Sequence, residues 1–325
     1  MIEGFIKASI NELNLSLTLR SGQCFRWRQH RDNHWIGIIG NKYVIQLTQN
    51  DLQINYKVFN PLVVNNCINS EDESQELKRK NHLIDAKQNQ KSRKKMKIET
   101  KLSDKLFFED LIRNYFRLEV NLTHLYSNWS QSDDNFAKIS HQFRGIRILK
   151  QDPMETLFSF ICSSNNNINR ISKMIDNLCL KYGHNLFESE EFGTVYAFPD
   201  VTALSADTVE EELKKLGFGY RSKFIQKTAK TILDSEPKCP EKWFKSLQEM
   251  SYPEAREQLM RMPGVGPKVA DCIALMSLNH LEAIPVDTHV WQIAVNQYLP
   301  HLKRNKSLTD KSYKEIGNQL TAESV

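Results

Sequence analysis

Residues 262–272 read "MPGVGPKVADC", two glycines and two prolines in a tight turn followed at once by a lysine. Pro267 suits the first turn of a helix, which puts Lys268 at a helix N-terminus. That end carries the positive pole of the helix dipole and repels a cation. The place is a poor one for a lysine kept for solubility. It is a good one for a lysine that must lose its proton, because only a neutral amine attacks carbon. A helix N-terminus and burial both disfavour the ammonium form. Downstream, "IPVDTHVW" brings Asp287, which the intervening helix and loop can fold back towards the turn. A carboxylate there could stabilise a cation developing at a sugar carbon, or accept a proton. The competing role for Asp287 is N-cap of "DTHVWQIAVNQYL", and the two roles can coexist.

The turn has chemistry of its own. Gly264 and Gly266 allow backbone angles and close approach that side chains would block. Amides of the hairpin, at Gly264, Val265 and Gly266, and of the new helix point outward and can hold a phosphate without side-chain charge. The alternative is a plain turn between two helices with a glycine C-cap.

Elements must position these groups. "AREQLMRM" before the turn and "PKVADCIALMSL" after it predict a helix-hairpin-helix at 252–279. The helical period begins near residue 105, where "KLFFEDLIRNYFRL" is amphipathic. "DPMETLFSFICSS" predicts a helix with Asp152 as N-cap, Pro153 at its first position and Glu155 completing a capping box. "SADTVEEELKKLG" ends on Gly217, a stop signal, and "SYPEAREQLMRM" repeats the capping-box spacing with Ser251 and Glu254. Upstream the period is two. "LNLSLTL" (13–19), "HWIGIIG", "KYVIQLTQ" and "LQINYKVF" predict an antiparallel sheet joined by hairpins to about residue 64. The expected fold is therefore α+β. A small antiparallel domain (1–117) precedes a helical domain (118–325) read as a bundle with short links. No internal repeat is visible.

Residues 66–103 interrupt the pattern and read as a disordered basic insertion. Within it, residues 78–97 hold nine Lys/Arg and one Asp, a net of +8, so the remaining chain carries −3 against a total of +5. Any grip on nucleic acid must then come from a local patch or from backbone donors. "KRK" and "KSRKKMK" have the form of a two-part nuclear import signal; a solvated charge run is the alternative. The 325 residues suit two domains, and a chain 40% hydrophobic and 26% charged reads as soluble. No apolar run approaches the ~18 residues needed to span a bilayer, so no membrane is expected. The N-terminus shows neither a secretory nor a mitochondrial leader pattern. Six scattered cysteines without a CxxC pair argue against a disulfide scaffold, a zinc knuckle and a four-cysteine iron–sulfur loop.

The hairpin paired with a downstream "PVD" resembles the helix-hairpin-helix base-excision glycosylases. With "SGQCFRW" (21–27), "CSSNNNINRI" (162–171), "LGFGYR" (216–221) and "PVDTHVW" (285–291), the chain is similar to the eukaryotic 8-oxoguanine DNA glycosylase/AP lyases over residues 10–64 and 105–318. The resemblance implies excision of 8-oxoguanine opposite cytosine and β-elimination at the abasic site, with no metal or redox cofactor. It implies Lys268 as Schiff-base nucleophile and Asp287 as the supporting carboxylate. Cys272 then contacts the amine and the damaged base. The Gly22 carbonyl accepts from N7–H of 8-oxoguanine, a hydrogen that guanine lacks; a turn glycine is the alternative. Asn165 fills the hole left by the flipped base and reads the orphaned cytosine. Arg170 and Arg221 contact that cytosine, and Tyr220 is the wedge. Their alternatives are a cap for Asn165, core for Tyr220 and phosphate clamps for the arginines. His289 helps hold the DNA backbone or is a buried structural histidine. Phe160 is pocket wall or plain core. Such an enzyme must flip its target out of the duplex and fill the gap.

Two departures qualify the resemblance. The insertion is one. The other is the chain end: "KEIGNQL" (314–320) resembles the start of the last family helix, and "TAESV" follows. The family's stacking Phe and base-reading Gln have no counterpart. The expectation is a shortened chain in which DNA binding and abasic-site cleavage survive while 8-oxoguanine excision is weak. The rival readings are a DNA- or lesion-binding protein with little turnover and an endonuclease III-type glycosylase. A monomer acting on double-stranded DNA in the nucleus is expected, with mitochondria as the second location.

Overall fold

The computed structural model describes residues 1–60, 102–304 and 307–323. The basic run at 78–97 and nearly all of the expected insertion lie outside the described residues.

Five strands form one antiparallel sheet: β1 (Ile2–Lys7), β2 (Arg28–Arg31), β3 (His34–Ile39), β4 (Tyr43–Gln49) and β5 (Gln53–Val58). Their order is β1-β5-β4-β3-β2, a four-strand meander with the first strand returning beside the last. Gly40 and Asn41 turn β3 into β4 at positive φ, as a tight hairpin requires. β5 alternates cleanly, burying Ile54, Tyr56 and Val58 against a helix over 102–115 (α2) that contributes Phe108 and Ile112. Trp27 closes this core and donates its indole N–H to the Tyr115 hydroxyl at 2.9 Å.

The expected first strand, 13–19, is instead a helix, α1 (Leu15–Arg20). Asn14 caps it by accepting the Leu17 N–H, and Leu15, Thr18 and Leu19 are buried on one face. A run this short fits both periods, and the cap decides in favour of the helix. β1 takes that place at one edge of the sheet; its burial alternates, but Gly4 stands on the inner side and Phe5 on the outer, which hides the period in the sequence.

Beyond residue 120 the chain is mainly helical. α3 (Leu122–Ser132) and α4 (Asp134–Ile139) lead to α5 (Pro153–Ser163), α6 (Ile168–Tyr182), α7 (Val201–Ser205), α8 (Val209–Lys215) and α9 (Arg221–Ser235). α10 (Glu241–Glu249), α11 (Tyr252–Met260), α12 (Pro267–Ser277), α13 (Thr288–Gln297) and α14 (Asp310–Glu323) complete it. The expected bundle also holds a β-hairpin, β6 (Asn185–Ser189) and β7 (Gly193–Tyr196). Its strands are too short and polar to show a period of two. The central pair is α5 and α12, each buried along most of its length. A third cluster joins α13 to α14 through Val286, Ala294, Val295 and Ile316.

The box expected at Asp152 is only half formed. Asp152 accepts the Glu155 N–H at 2.9 Å, but the Glu155 carboxylate turns to Arg26 at 2.8 Å. A buried arginine from the sheet domain outcompetes one backbone N–H for that carboxylate. The box at Ser251 and Glu254 forms in full.

Candidate active site

α11, a hairpin and α12 make the expected helix-hairpin-helix. Gly264 holds φ +83°, and a Cβ there would sit 2.7 Å from the Phe224 ring of α9. The same helix pins the turn through Thr228, whose hydroxyl donates to the Pro263 carbonyl at 2.9 Å. Two expectations about the turn need correction. Gly266 has φ −92°, which any residue adopts, and open space where its Cβ would be. Its small size matters only for something approaching from outside. The Val265 N–H is not turned outward; it donates to the Met262 carbonyl at 3.1 Å, and Val265 is buried. Outward donation falls instead to the open first turn of α12, where Pro267 has no N–H to lose.

Lys268 is the second residue of α12, and its Nζ lies 5.1 Å from the Phe160 ring centroid. Phe160 meets Phe25 edge-to-face at 5.7 Å. Cys272, one turn further along α12, lies beside Lys268 and is almost fully buried. Burial pushes its thiol up to about 11, against the opposing pull of the Lys268 charge. Asp287 caps α13 as expected: one oxygen accepts the N–H groups of His289 and Val290, both at 2.9 Å. Its second oxygen accepts no hydrogen bond among the described residues.

These groups share one open cleft of about 1300 Å³, lined by Gly22, Phe25, Phe160, Lys268, Cys272, Asp287 and His289. The α1–β2 loop of the sheet domain forms one wall and the helical domain the others. Gly22 has φ +81°, which few side-chain-bearing residues adopt. Phe160 is both core and wall, being buried yet lining the cleft, and His289 is exposed rather than buried. The arrangement places an amine and a carboxylate on the lining of one cleft with aromatic side chains in its wall.

The remaining expected residues gather beside the cleft rather than in its lining. Asn165 holds φ +48° and is exposed, and Asn167, not Asn165, caps α6. Tyr220 is half exposed and donates its hydroxyl to the Ser164 carbonyl at 3.1 Å, so it is not core. Arg221 is buried, stacks on Tyr220 at 4.6 Å, and bonds the carbonyls of Ser164 and Asn165. Its Nε is buried without a partner among the described residues. Arg170 is exposed and reaches the Gly217 carbonyl at 3.3 Å.

Residues 5–157 match the model for the 8-oxoguanine DNA glycosylase N-terminal domain, and residues 158–319 match the HhH-GPD superfamily of base excision DNA repair proteins. The N-glycosylase/DNA lyase OGG1 of Arabidopsis thaliana is 36% identical over 98% of this chain and 74% of its own length. The chain belongs to the 8-oxoguanine DNA glycosylase family. The N-glycosylase/DNA lyase of Saccharomyces cerevisiae is 44% identical over 60% of this chain and 52% of its own length. A solved structure of MBOgg1 in complex with a low-affinity DNA ligand superposes with a TM-score of 0.74 at 26% identity. It covers 100% of this chain and 92% of that one.

Sequence reasoning missed Phe25, and it missed Asp271. That aspartate is fully buried on α12, held by Tyr252, Arg256 and Tyr313. An acidic residue inside the apolar run "VADCIALM" was the available signal, since a buried carboxylate needs partners.

Proposed function

We propose that this chain excises 8-oxoguanine from duplex DNA where it faces cytosine, and then cleaves the abasic site. It is a base-excision-repair enzyme with both N-glycosylase and DNA lyase activity. The observation that carries the assignment of roles is the meeting of Lys268, Cys272, Asp287 and Gly22 in one cleft.

The neutral Lys268 amine attacks C1′ of the sugar. The new N–C1′ bond forms as the bond to the base breaks, and that electron pair leaves with the base, which takes up a proton. Positive charge developing at the sugar faces the free oxygen of Asp287. Ring opening gives an imine; loss of a C2′ proton then expels the 3′-phosphate as the β-elimination product. Gly22 offers the polar test for the base, because a mismatched pair of acceptors in a dry pocket goes unsatisfied. In this reading Asn165 and Tyr220 meet the emptied stack and the widowed cytosine, with Arg170 and Arg221 assisting. The open end of α12 with Gly266 grips phosphate. The chain acts as a monomer in this reading. The nucleus is its proposed location, supported by the two basic clusters between 78 and 97.

Borohydride trapping on an 8-oxoguanine:cytosine duplex tests the reading. One covalent protein–DNA adduct is expected, and Lys268→Gln is expected to abolish it with a rate loss of about 10³-fold or more while DNA binding persists. An adduct formed by the Gln variant at the wild-type rate would remove Lys268 from its role.

A further inference from the structure

Asp287 reacts through its side chain, but its position is set by the backbone that carries it. The preceding residue, Val286, is buried, so its N–H needs a partner. That partner is the Tyr313 hydroxyl of α14, at 3.2 Å. The same hydroxyl donates to Oδ2 of Asp271, on the helix that carries Lys268. Oδ1 of Asp271 is already taken, by the Tyr252 hydroxyl at 2.9 Å and by Arg256 Nε at 2.7 Å. A carboxylate only accepts, so Tyr313 must spend its one hydrogen on Asp271 and turn a lone pair to Val286. The direction of each bond follows from this, and the tie between α12 and the Asp287 segment has one register.

We propose that Tyr313 is a positioning residue: it ties the Lys268 helix, through Asp271, to the backbone immediately before Asp287, and so sets the amine-to-carboxylate geometry. Tyr252 supplies the internal control. It donates to the same aspartate, and among the described residues it makes no hydrogen bond to the Asp287 segment. Both tyrosines stabilise the buried carboxylate, whereas Tyr313 alone of the two bridges to Val286. The inference rests on Lys268 and Asp287 as the reacting pair.

The test uses the full chain with enzyme in excess over DNA. Single-turnover rates are measured on an 8-oxoguanine:cytosine duplex, and affinity on a non-cleavable duplex. Tyr313→Phe is expected to slow base release tenfold or more while Kd stays within threefold. Tyr252→Phe is expected to stay within twofold of wild type in rate. A purely structural Tyr313 would lower the melting temperature and the reacting fraction but leave the rate constant of the folded enzyme alone; that result overturns the proposal. Equal slowing by both variants also overturns it, since the effect would then lie in the burial of Asp271. If Tyr313→Phe prevents folding, amide exchange in the wild-type chain decides: Val286 should be protected as strongly as the middle of α12, and exchange at a loop rate overturns the tie. Failure of the functional reading looks different, because the wild-type chain would then form no borohydride-trapped adduct.

Discussion

Asp287 holds two jobs in one carboxylate, and the two can be separated. Asn caps a helix about as well as Asp. Asp287→Asn should therefore leave the melting temperature nearly unchanged while slowing base release about 10²-fold or more. A wild-type single-turnover rate in that variant would leave Asp287 with the cap alone. Cys272 is inert for a related reason, its burial. With its thiol near 11, about one in 10⁴ is ionised at pH 7. Because the folded state holds this proton more tightly, the contribution to stability is full below about pH 9 and drains away as pH rises through about 11. The two arginines divide by burial. Arg221→Ala cuts the tie to the Ser164–Asn165 carbonyls and should cost about 1–3 kcal/mol of stability. Arg170 is exposed, and its Ala variant should fold as wild type. Both should relax the preference for cytosine opposite the lesion. Rates against all four opposite bases, read beside melting temperatures, check this; equal loss against every base would make them phosphate clamps.

In the hairpin, two glycines two residues apart in sequence have different roles. Gly264 serves the fold: its left-handed backbone and the Phe224 ring exclude a side chain. Gly264→Ala should cost about 1–3 kcal/mol, seen as a lower denaturation midpoint. Gly266 serves the partner. Gly266→Ala should leave stability almost unchanged, because its Cβ meets nothing, and should weaken binding to undamaged duplex by obstructing the phosphate. Duplex titrations of both variants distinguish the two roles. Undiminished affinity in Gly266→Ala would place the phosphate grip elsewhere.

Across the whole molecule, the cleft exists because the sheet domain is stitched to the helical one. Arg26 leaves the α1–β2 loop to pair with Glu155 of α5 and to donate to the Tyr196 carbonyl of β7. Asn41 exchanges hydrogen bonds with the backbone of Phe198 at 2.5 and 2.9 Å. Gln23 joins Leu149 and Gln151. These contacts fix the wall that holds Gly22. Arg26→Ala strands a largely buried Glu155 and should cost about 3–5 kcal/mol. Below its lowered melting temperature, the variant should lose discrimination between 8-oxoguanine and guanine more than it loses abasic-site cleavage, which needs no base pocket. Competition between lesion and normal duplexes provides the measurement, and unchanged discrimination would show that the wall holds without the pair.

The sequence by itself determined what local chemistry dictates. The turn at 263–267, the caps at Asp152, Ser251 and Asp287, and the meander of β3 to β5 are written in neighbouring residues. So were Lys268, Cys272 and Asp287 as a group, through spacing and a specific resemblance. Where two local codes compete, as at 13–19, the pattern alone could not choose; the Asn14 cap and the buried face of α1 did. Partners far apart in the chain were decided by the tertiary structure alone. Glu155 leaves its capping box for Arg26, and Arg221 is buried under the loop it holds. The tie from Asp271 through Tyr313 to Val286 joins three separated segments. No window of sequence contains them, because a buried polar group takes whichever partner the packed chain brings within reach.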